Sequence, residues 1–418
     1  MSISGRLESI EFSRYRAFNK AQTLELRPLT LLFGLNSAGK SAALRLLPIL
    51  AGAAQRRQMG PRATILDYKS PALRDARFQD LSNRKGALVL TFKLNWGGIS
   101  YEFDIASLGE LGECMSSFKI LTRDSGFEGT ILDTKIKSSY DVRSGGNATK
   151  WDFRGLAPAR CDDPDDHLVL FQLNHQLDLF GNSVHWLGAV RATVPRFYEL
   201  LPGMDARVQS DGSGVAEVLR LSFEAKDGAA EAVSAWLMKT CQSELTFAKT
   251  DGAVAFNRQL YPFNLLGASG MHVAVRDVGE GIAQALPVVT LCHQAMLGQL
   301  GVAPILAFEQ PELHLHPAAT VHLADEIISC VEQGSKASHV IETHSESMLL
   351  ALQIAIVEKR LKPEDAIVYW VTSGPEGSDL RPIRFDEEGF PHGGWPQGVF
   401  REAVDQARRL SKLRISAH

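Results

Sequence analysis

"LTLLFGLNSAGKSAALRLL" (Leu29–Leu47) joins an apolar run, a Gly-bearing octet and a Leu/Ala-rich run without a break. The first part is apolar enough to be a strand buried on both faces. From Lys40 to about Ala54 the pattern is helical, with Pro48 expected to kink it. Between them "GLNSAGKS" (Gly34–Ser41) fits G-x-x-x-x-G-K-[ST] and has the strand before it and the helix after it that the motif requires. Gly34 and Gly39 let the loop wrap, so that the backbone around Asn36, Ser37 and Ala38 makes an anion nest at a helix N-terminus. In such a loop Lys40 reaches the β- and γ-phosphates and the Ser41 hydroxyl binds Mg²⁺. A plain strand-helix turn with a solvated lysine is the alternative, and the spacing and flanks favour phosphate.

Outward from this octet, residues 6–33 read as three strands, "LESIEFSRYRAF", "QTLELR" and "LTLLFG". Residues 55–85 are basic and punctuated by Gly and Pro, which reads as an irregular, mobile surface segment. Residues 86–155 carry β signals separated by Gly and Asn turns, predicting a mostly antiparallel sheet. Residues 189–260 lean helical, with "GVAEVLRLSFEA" and "AAEAVSAWLMKTCQSEL" as the better helices. After Val273 the turn "RDVGEG" enters the helix "IAQALPVVTLCHQAML". Strands "PILAF", "ASHVIET" and "AIVYWVT" then alternate with helices, implying a parallel sheet covered on both faces.

Composition narrows the class. Hydrophobic residues make up 45% and charged residues 22% of 418 residues, as in ordinary globular proteins. The formal charge of -4 does not predict polyanion binding. Five Cys with no C-x-x-C pair argue against a zinc ribbon or a disulfide scaffold, and a reduced cytoplasm is the expected compartment. No apolar run is long enough to span a bilayer, so no membrane role is expected.

Four further stretches stand in a fixed order: "WLGAVRATVPRFY" (Trp186–Tyr198), "RDVGEGIAQALP" (Arg276–Pro287), "FEQPELHLHP" (Phe308–Pro317) and "VIETHSESMLL" (Val340–Leu350). With the P-loop octet and "FDEEGFPHGGWPQGVF" (Phe385–Phe400), this order resembles the AAA-type ATPases of the ABC superfamily related to RecF, chromosome-maintenance proteins and overcoming-lysogenization-defect nucleases. The resemblance implies an α/β fold: an ABC-type P-loop ATPase head with a parallel-sheet core, an antiparallel β subdomain and a helical insertion. It implies ATP and Mg²⁺ as cofactors, sandwiched between two heads so that each P-loop faces the other's signature motif. The matching signature is "DVGEG" (Asp277–Gly281), with Gly279, Gly281 and Gln284 toward the γ-phosphate. It lacks the Ser of the transporter pattern, and Glu280 adds a negative charge. His344 stands at the switch-histidine position, Arg191 where relatives keep an Arg near the nucleotide, and Arg16 at a further nucleotide contact. For Arg191 a structural ion pair is the competing reading.

"PILAF" should deliver Glu309 to the C-terminal edge of the sheet, where it would hold Mg²⁺ through water as a Walker B carboxylate does. The next position, where the general base for the attacking water is expected, holds Gln310. An amide orients water but does not take its proton. Glu312 is the substitute if a turn at Pro311 brings it inward; otherwise it stays solvated. Glu312, His314 and His316 also have metal-ligand character, against a reading of His316-Pro317 as the turn opening a helix.

The expected organisation is an N-terminal ATPase lobe with the P-loop (1–54), a β-rich insertion (55–185), a helical subdomain (186–272) and a C-terminal lobe with signature, Walker B and switch His (273–418). No D-x-D follows His344, so nuclease activity is expected only from a partner, and no heptad arms join the two halves. The reading is an ATPase that dimerises around nucleotide and controls a separate effector, such as a nuclease, in bacterial anti-phage defence or DNA maintenance. The alternative is a nucleotide-sensing scaffold that barely turns over. Basic stretches "AAQRRQMGPR" and "RRLSKLR" leave nucleic acid open, without interleaved aromatics for base stacking.

Overall fold

The computed structural model describes residues 5–57, 63–82, 88–109, 112–133, 138–201, 203, 205–247, 254–255 and 258–396. "RRLSKLR", most of the Met59 region of "AAQRRQMGPR" and the last residues of "FDEEGFPHGGWPQGVF" lie outside them.

Strands β1 (Ser9–Ser13), β2 (Gln22–Glu25) and β3 (Leu29–Gly34) precede helix α1 (Lys40–Gln55), which runs unbroken through Pro48. A one-turn helix α2 (Phe78–Leu81) is followed by β4 (Val89–Trp96), β5 (Ile99–Ser107), β6 (Glu113–Thr122), β7 (Gly126–Ile131), β8 (Ser139–Ser144), β9 (Asn147–Arg154) and β10 (Ala157–Cys161). Helix α3 (His167–Ser183) leads into β11 (Val184–Leu187), then β12 (Phe197–Glu199), α4 (Val215–Ala225) and α5 (Ala229–Cys241). Short strands β13 (Ser243–Thr246), β14 (Val254–Ala255), β15 (Arg258–Pro262), β16 (Asn264–Gly267) and β17 (His272–Ala274) come next. The chain ends its described course with α6 (Glu280–Met296), β18 (Ile305–Glu309), α7 (Pro317–Glu332), β19 (Ser338–Glu342), α8 (Glu346–Val357), β20 (Ala366–Gly374) and β21 (Gly377–Ile383).

The central sheet has the order β11-β18-β19-β3-β20-β21, parallel except for the antiparallel edge strand β21. Side chains alternate across it with period two. Ile305, Ala307, Val340, Leu32, Ile367 and Tyr369 join a core with α1 and α3, while Leu306, Phe308, Ile341, Leu31 and Val368 join a second core with α4 to α8. That alternation puts Glu309 and Glu342, paired in register at the ends of β18 and β19, on the face covered by α1.

The antiparallel sheet, β10-β9-β8-β7-β6-β5-β4-β1-β2, contains β1 and β2 of the first lobe as well as the strands of residues 89–161. The boundary expected at residue 55 therefore does not divide the core: β1, β4 and β5 bury Phe12, Phe92 and Phe103 in the same cluster as α1. The described part of the 55–85 segment is packed too, burying Ile65, Leu66, Leu73, Phe78 and Leu81. Glu113 fixes it, accepting from the backbone N–H groups of Ile65 (2.8 Å) and Leu66 (3.1 Å) and from the Tyr68 hydroxyl. The segment expected to be helical holds two small sheets, β12-β15-β14 and β13-β16-β17, beside α4 and α5.

Phe12 lies at the junction of these layers, with edge-on rings of Tyr15 and Phe18 at 6.1 and 5.2 Å. Phe12→Ala should cost about 3–5 kcal/mol in denaturant unfolding, in one transition seen alike by fluorescence and circular dichroism. Two separate transitions would show instead that the antiparallel sheet folds independently of the head.

Candidate nucleotide site

The octet forms a loop between β3 and α1. Gly34 has φ 148° and runs so close to β20 that a Cβ would collide with the Val371 carbonyl. Gly39 (φ 110°) is the N-cap of α1, and a Cβ there would press on the Phe18 ring. Both glycines are thus required, one by close strand approach and one by the left-handed cap. Leu35, Asn36 and Ser37 are exposed at the loop crest and Ala38 is buried beneath it. The first-turn N–H groups of α1 have no intrahelical acceptors, which is the donor set an anion needs. Lys40 is buried, its ammonium donating to the carbonyls of Gly34 (2.9 Å) and Leu35 (2.7 Å). Burial lowers its pKa, opposed by the charge of Glu342.

The carboxylate that meets the loop is Glu342. The Ser41 hydroxyl donates to its Oε1 at 2.8 Å, and its buried Oε2 has no hydrogen-bond partner. Desolvation holds the Glu342 carboxyl above the ordinary glutamate range; the Ser41 bond, Lys40 and Arg45 oppose the rise and Glu309 adds to it. Glu309, assigned from sequence to the metal with Ser41, is engaged elsewhere. Its two oxygens accept from Arg45 at 2.6 and 2.5 Å, Oε1 also accepts from the Trp186 indole at 3.0 Å, and Arg74 stands 3.7 Å from Oε2. Arg45 and Glu309 are 3% and 1% exposed, so this is a fully desolvated bidentate pair.

After Glu309 the chain turns sharply. Gln310 adopts φ 41°, a conformation side-chain-bearing residues rarely take, and its N–H donates to the Glu342 carbonyl at 2.8 Å. The turn, continued by Leu313 N–H to Gln310 O and Leu315 N–H to Glu312 O, swings Glu312 inward. Its Oε1 accepts from the Thr343 hydroxyl (2.6 Å) and the His344 N–H (3.0 Å), while Oε2 is buried without a partner. Of the two positions left open for Glu312, the inward one is therefore occupied. His344 is exposed at the rim, its pKa lowered by what cover it has and by the Lys40 charge. Glu312, His314 and His316 do not converge as metal ligands: His316 caps α7, accepting from Ala318 N–H.

The signature loop is attached to this turn. Gly279 (φ 40°) caps α6 and is exposed, and a Cβ on Gly281 would collide with the His314 carbonyl. Arg191 binds both elements from behind, donating to the carbonyls of Gln284 (3.1 Å) and Glu309 (3.0 Å). It is buried, and burial lowers its pKa to about 10. Arg16 reaches the Leu73 carbonyl at 3.4 Å. Glu342, Arg45 and Trp186 were not singled out in the sequence. The signal for Glu342 was its place, one residue before Thr343 at the end of an apolar strand.

Residues 190–349 match the family model of the AAA ATPase domain. This stretch is similar to AAA-type ATPase domains. The matched segment spans Arg191, the signature loop, Glu309 to Glu312 and His344; the P-loop lies before it and is joined to it by the pairing of β3 with β19. No curated protein matches the chain. Among solved structures, the Smc head bound to the C-winged helix domain of ScpA is 12% identical, covering 91% of this chain and 98% of that one at a TM-score of 0.48. The Smc head domain with an extended coiled coil from Pyrococcus furiosus, bound to the C-terminal domain of ScpA, is 11% identical (98% and 99% covered, TM-score 0.47). The SMC head domain from Thermotoga maritima is 10% identical (90% and 99%, TM-score 0.41). At these scores the architecture rests on the strand order above and not on the likenesses. The AAA ATPase domain match supports ATP binding and hydrolysis.

Two outcomes follow for the paired carboxylates of this domain. Arg45→Met leaves Glu309 buried and uncompensated and should cost about 3–5 kcal/mol in urea unfolding, most of it recovered in Arg45→Met/Glu309→Met. Equal loss in single and double variants would exclude the ion pair as the cause. For Glu342 the folded pKa is raised, so its contribution to stability is full below the ordinary glutamate pKa and is lost as pH rises through the folded value. Glu342→Gln, neutral throughout, should match wild type in acid and exceed it once pH has passed that window, in nucleotide-free protein. A stability difference independent of pH would contradict the desolvated carboxylate.

Proposed function

We propose that this chain is a Mg²⁺-dependent ATPase head that closes on nucleotide as a dimer and thereby controls a separate effector protein. The observation that carries the reading is the inward Glu312, held on Thr343 and the backbone of His344 beside the Glu342–Ser41 pair. Here three acidic side chains have distinct duties. Glu309 is neutralised by Arg45 and joins α1 to the end of β18. Glu342, with Ser41, would hold Mg²⁺: its unpartnered buried Oε2 is an acceptor with no donor, which a hard cation suits. Glu312, whose Oε2 is likewise unpartnered, would take the proton of the attacking water, and Gln310 would orient that water. When bound, Mg²⁺ neutralises charge that develops on the phosphate oxygens. Lys40 and the loop N–H groups bind the phosphates, and His344 would contact the γ-phosphate from the rim.

Dimerisation is supported by the placement of Gly279, which is exposed at the start of α6 while Gly281 packs on His314. The signature loop is thus presented outward, toward a second head, and Leu35 and Val190 are exposed apolar side chains. We place the effector, such as a nuclease, in anti-phage defence or DNA maintenance, in keeping with the motif order. ATP binding with little turnover is the second reading; Gln310 at the base position and the hydrogen bonds already made by Glu312 favour it.

Steady-state phosphate release separates the two. Wild type should exceed Lys40→Ala, and Glu312→Gln should fall by about 10²–10⁴-fold while still binding ATP. Wild type no faster than Lys40→Ala would leave only the scaffold reading. A fully active Glu312→Gln would remove Glu312 as the base.

A further inference from the structure

Away from the nucleotide loop, the second half of α6 packs on α7, and three side chains of different chemistry meet between them. His293 comes from α6, and Glu326 and Cys330 come from α7. The two α7 residues are four apart and so lie on one face, one turn above the other. One ligand-type atom from each of the three lies within 4.8 Å of the others. His293 is 5% and Cys330 0% exposed, whereas Glu326 reaches the surface. The His293 Nε2 is 2.9 Å from Glu326 Oε1, yet the contact lacks the alignment of a hydrogen bond, and neither ring nitrogen has a hydrogen-bond partner. An imidazole so deeply buried ordinarily donates from one nitrogen and accepts at the other. Here a nitrogen, a carboxylate oxygen and a sulfur converge on one point instead.

We propose that His293, Glu326 and Cys330 bind a borderline-soft divalent cation of the zinc type, clamping α6 to α7. Nitrogen, oxygen and thiolate ligands at about 2.0–2.3 Å from a tetrahedral ion are about 3.3–3.8 Å apart, a modest rotamer adjustment from the spacing seen. Three protein ligands leave the fourth position of a tetrahedral ion to water. Binding releases the Cys330 proton to solvent, leaving a thiolate on the metal. Mg²⁺, which prefers oxygen ligands, does not compete for a site holding imidazole and thiolate. The clamp joins the helix that opens at the signature loop to the helix that follows the Glu312 turn, so it would stiffen the connection between them. It does not depend on whether ATP is hydrolysed.

Cobalt is the probe, because a thiolate bound to Co²⁺ gives a near-ultraviolet charge-transfer band and a tetrahedral site gives strong visible bands. Metal-free full-length protein in excess Mg²⁺ is titrated with Co²⁺, then with Zn²⁺. The expected result is one equivalent of tetrahedral Co²⁺ with a thiolate band, displaced by Zn²⁺, and a melting temperature raised by Zn²⁺. Cys330→Ser should abolish the thiolate band, and Glu326→Gln, whose side chain is 19% exposed, should weaken Co²⁺ by about 10–100-fold. Cys241→Ser should leave both unchanged. No thiolate band in wild type, or a band that survives Cys330→Ser, overturns the site, as does full Co²⁺ affinity in Glu326→Gln.

Discussion

Two carboxylates, Glu309 and Glu342, end neighbouring parallel strands in register and on the same face of the sheet. Like charges directly opposite repel, and both of these are buried. One guanidinium, Arg45 from α1, pairs bidentately with Glu309 and leaves Glu342 with a hydroxyl donor and an unpartnered oxygen. The helix bearing Arg45 is the one that starts at the P-loop, so the same element that presents Lys40 and Ser41 also sets which carboxylate is neutral in effect and which is not. α1 must stay against β18 and β19 for this to hold. The packing of α3 and the antiparallel sheet over α1 keeps it there.

The fold was legible where periodicity was strong. The apolar strands β3, β18, β19 and β20 and the helices between them follow from alternating patterns, and the octet at 34–41 fixes where α1 begins. Helix α3 was missed because "HLVLFQLNHQLDLF" follows a strand-rich stretch and buries only one stripe against α1 and the sheet. The layering was also hidden. Nothing local in "SIEFS" shows that it pairs with "VLTFKLNW" some eighty residues later, yet that pairing merges the first lobe with the antiparallel sheet.

At the site, sequence order identified which stretches meet but not which carboxylate does what. Glu309 stands where a metal carboxylate is expected, and only the three-dimensional position of Arg45 shows it to be occupied. Gln310 explains itself in backbone terms: its positive φ makes the turn that carries Glu312 inward. The amide at the expected base position and the glutamate beyond it are parts of one turn. Arg191 and Gly281 tie the signature loop to that turn from two sides, through contacts with its backbone.

The division of labour between Glu342 and Glu309 is tested most directly by Mn²⁺ in place of Mg²⁺, with electron paramagnetic resonance measuring its affinity in the presence of ATP. Glu342→Gln should weaken Mn²⁺ by about 10-fold or more, whereas Arg45→Met/Glu309→Met should bind it as wild type does. Wild-type affinity in Glu342→Gln, with the loss falling on the Glu309 variant, would contradict that division.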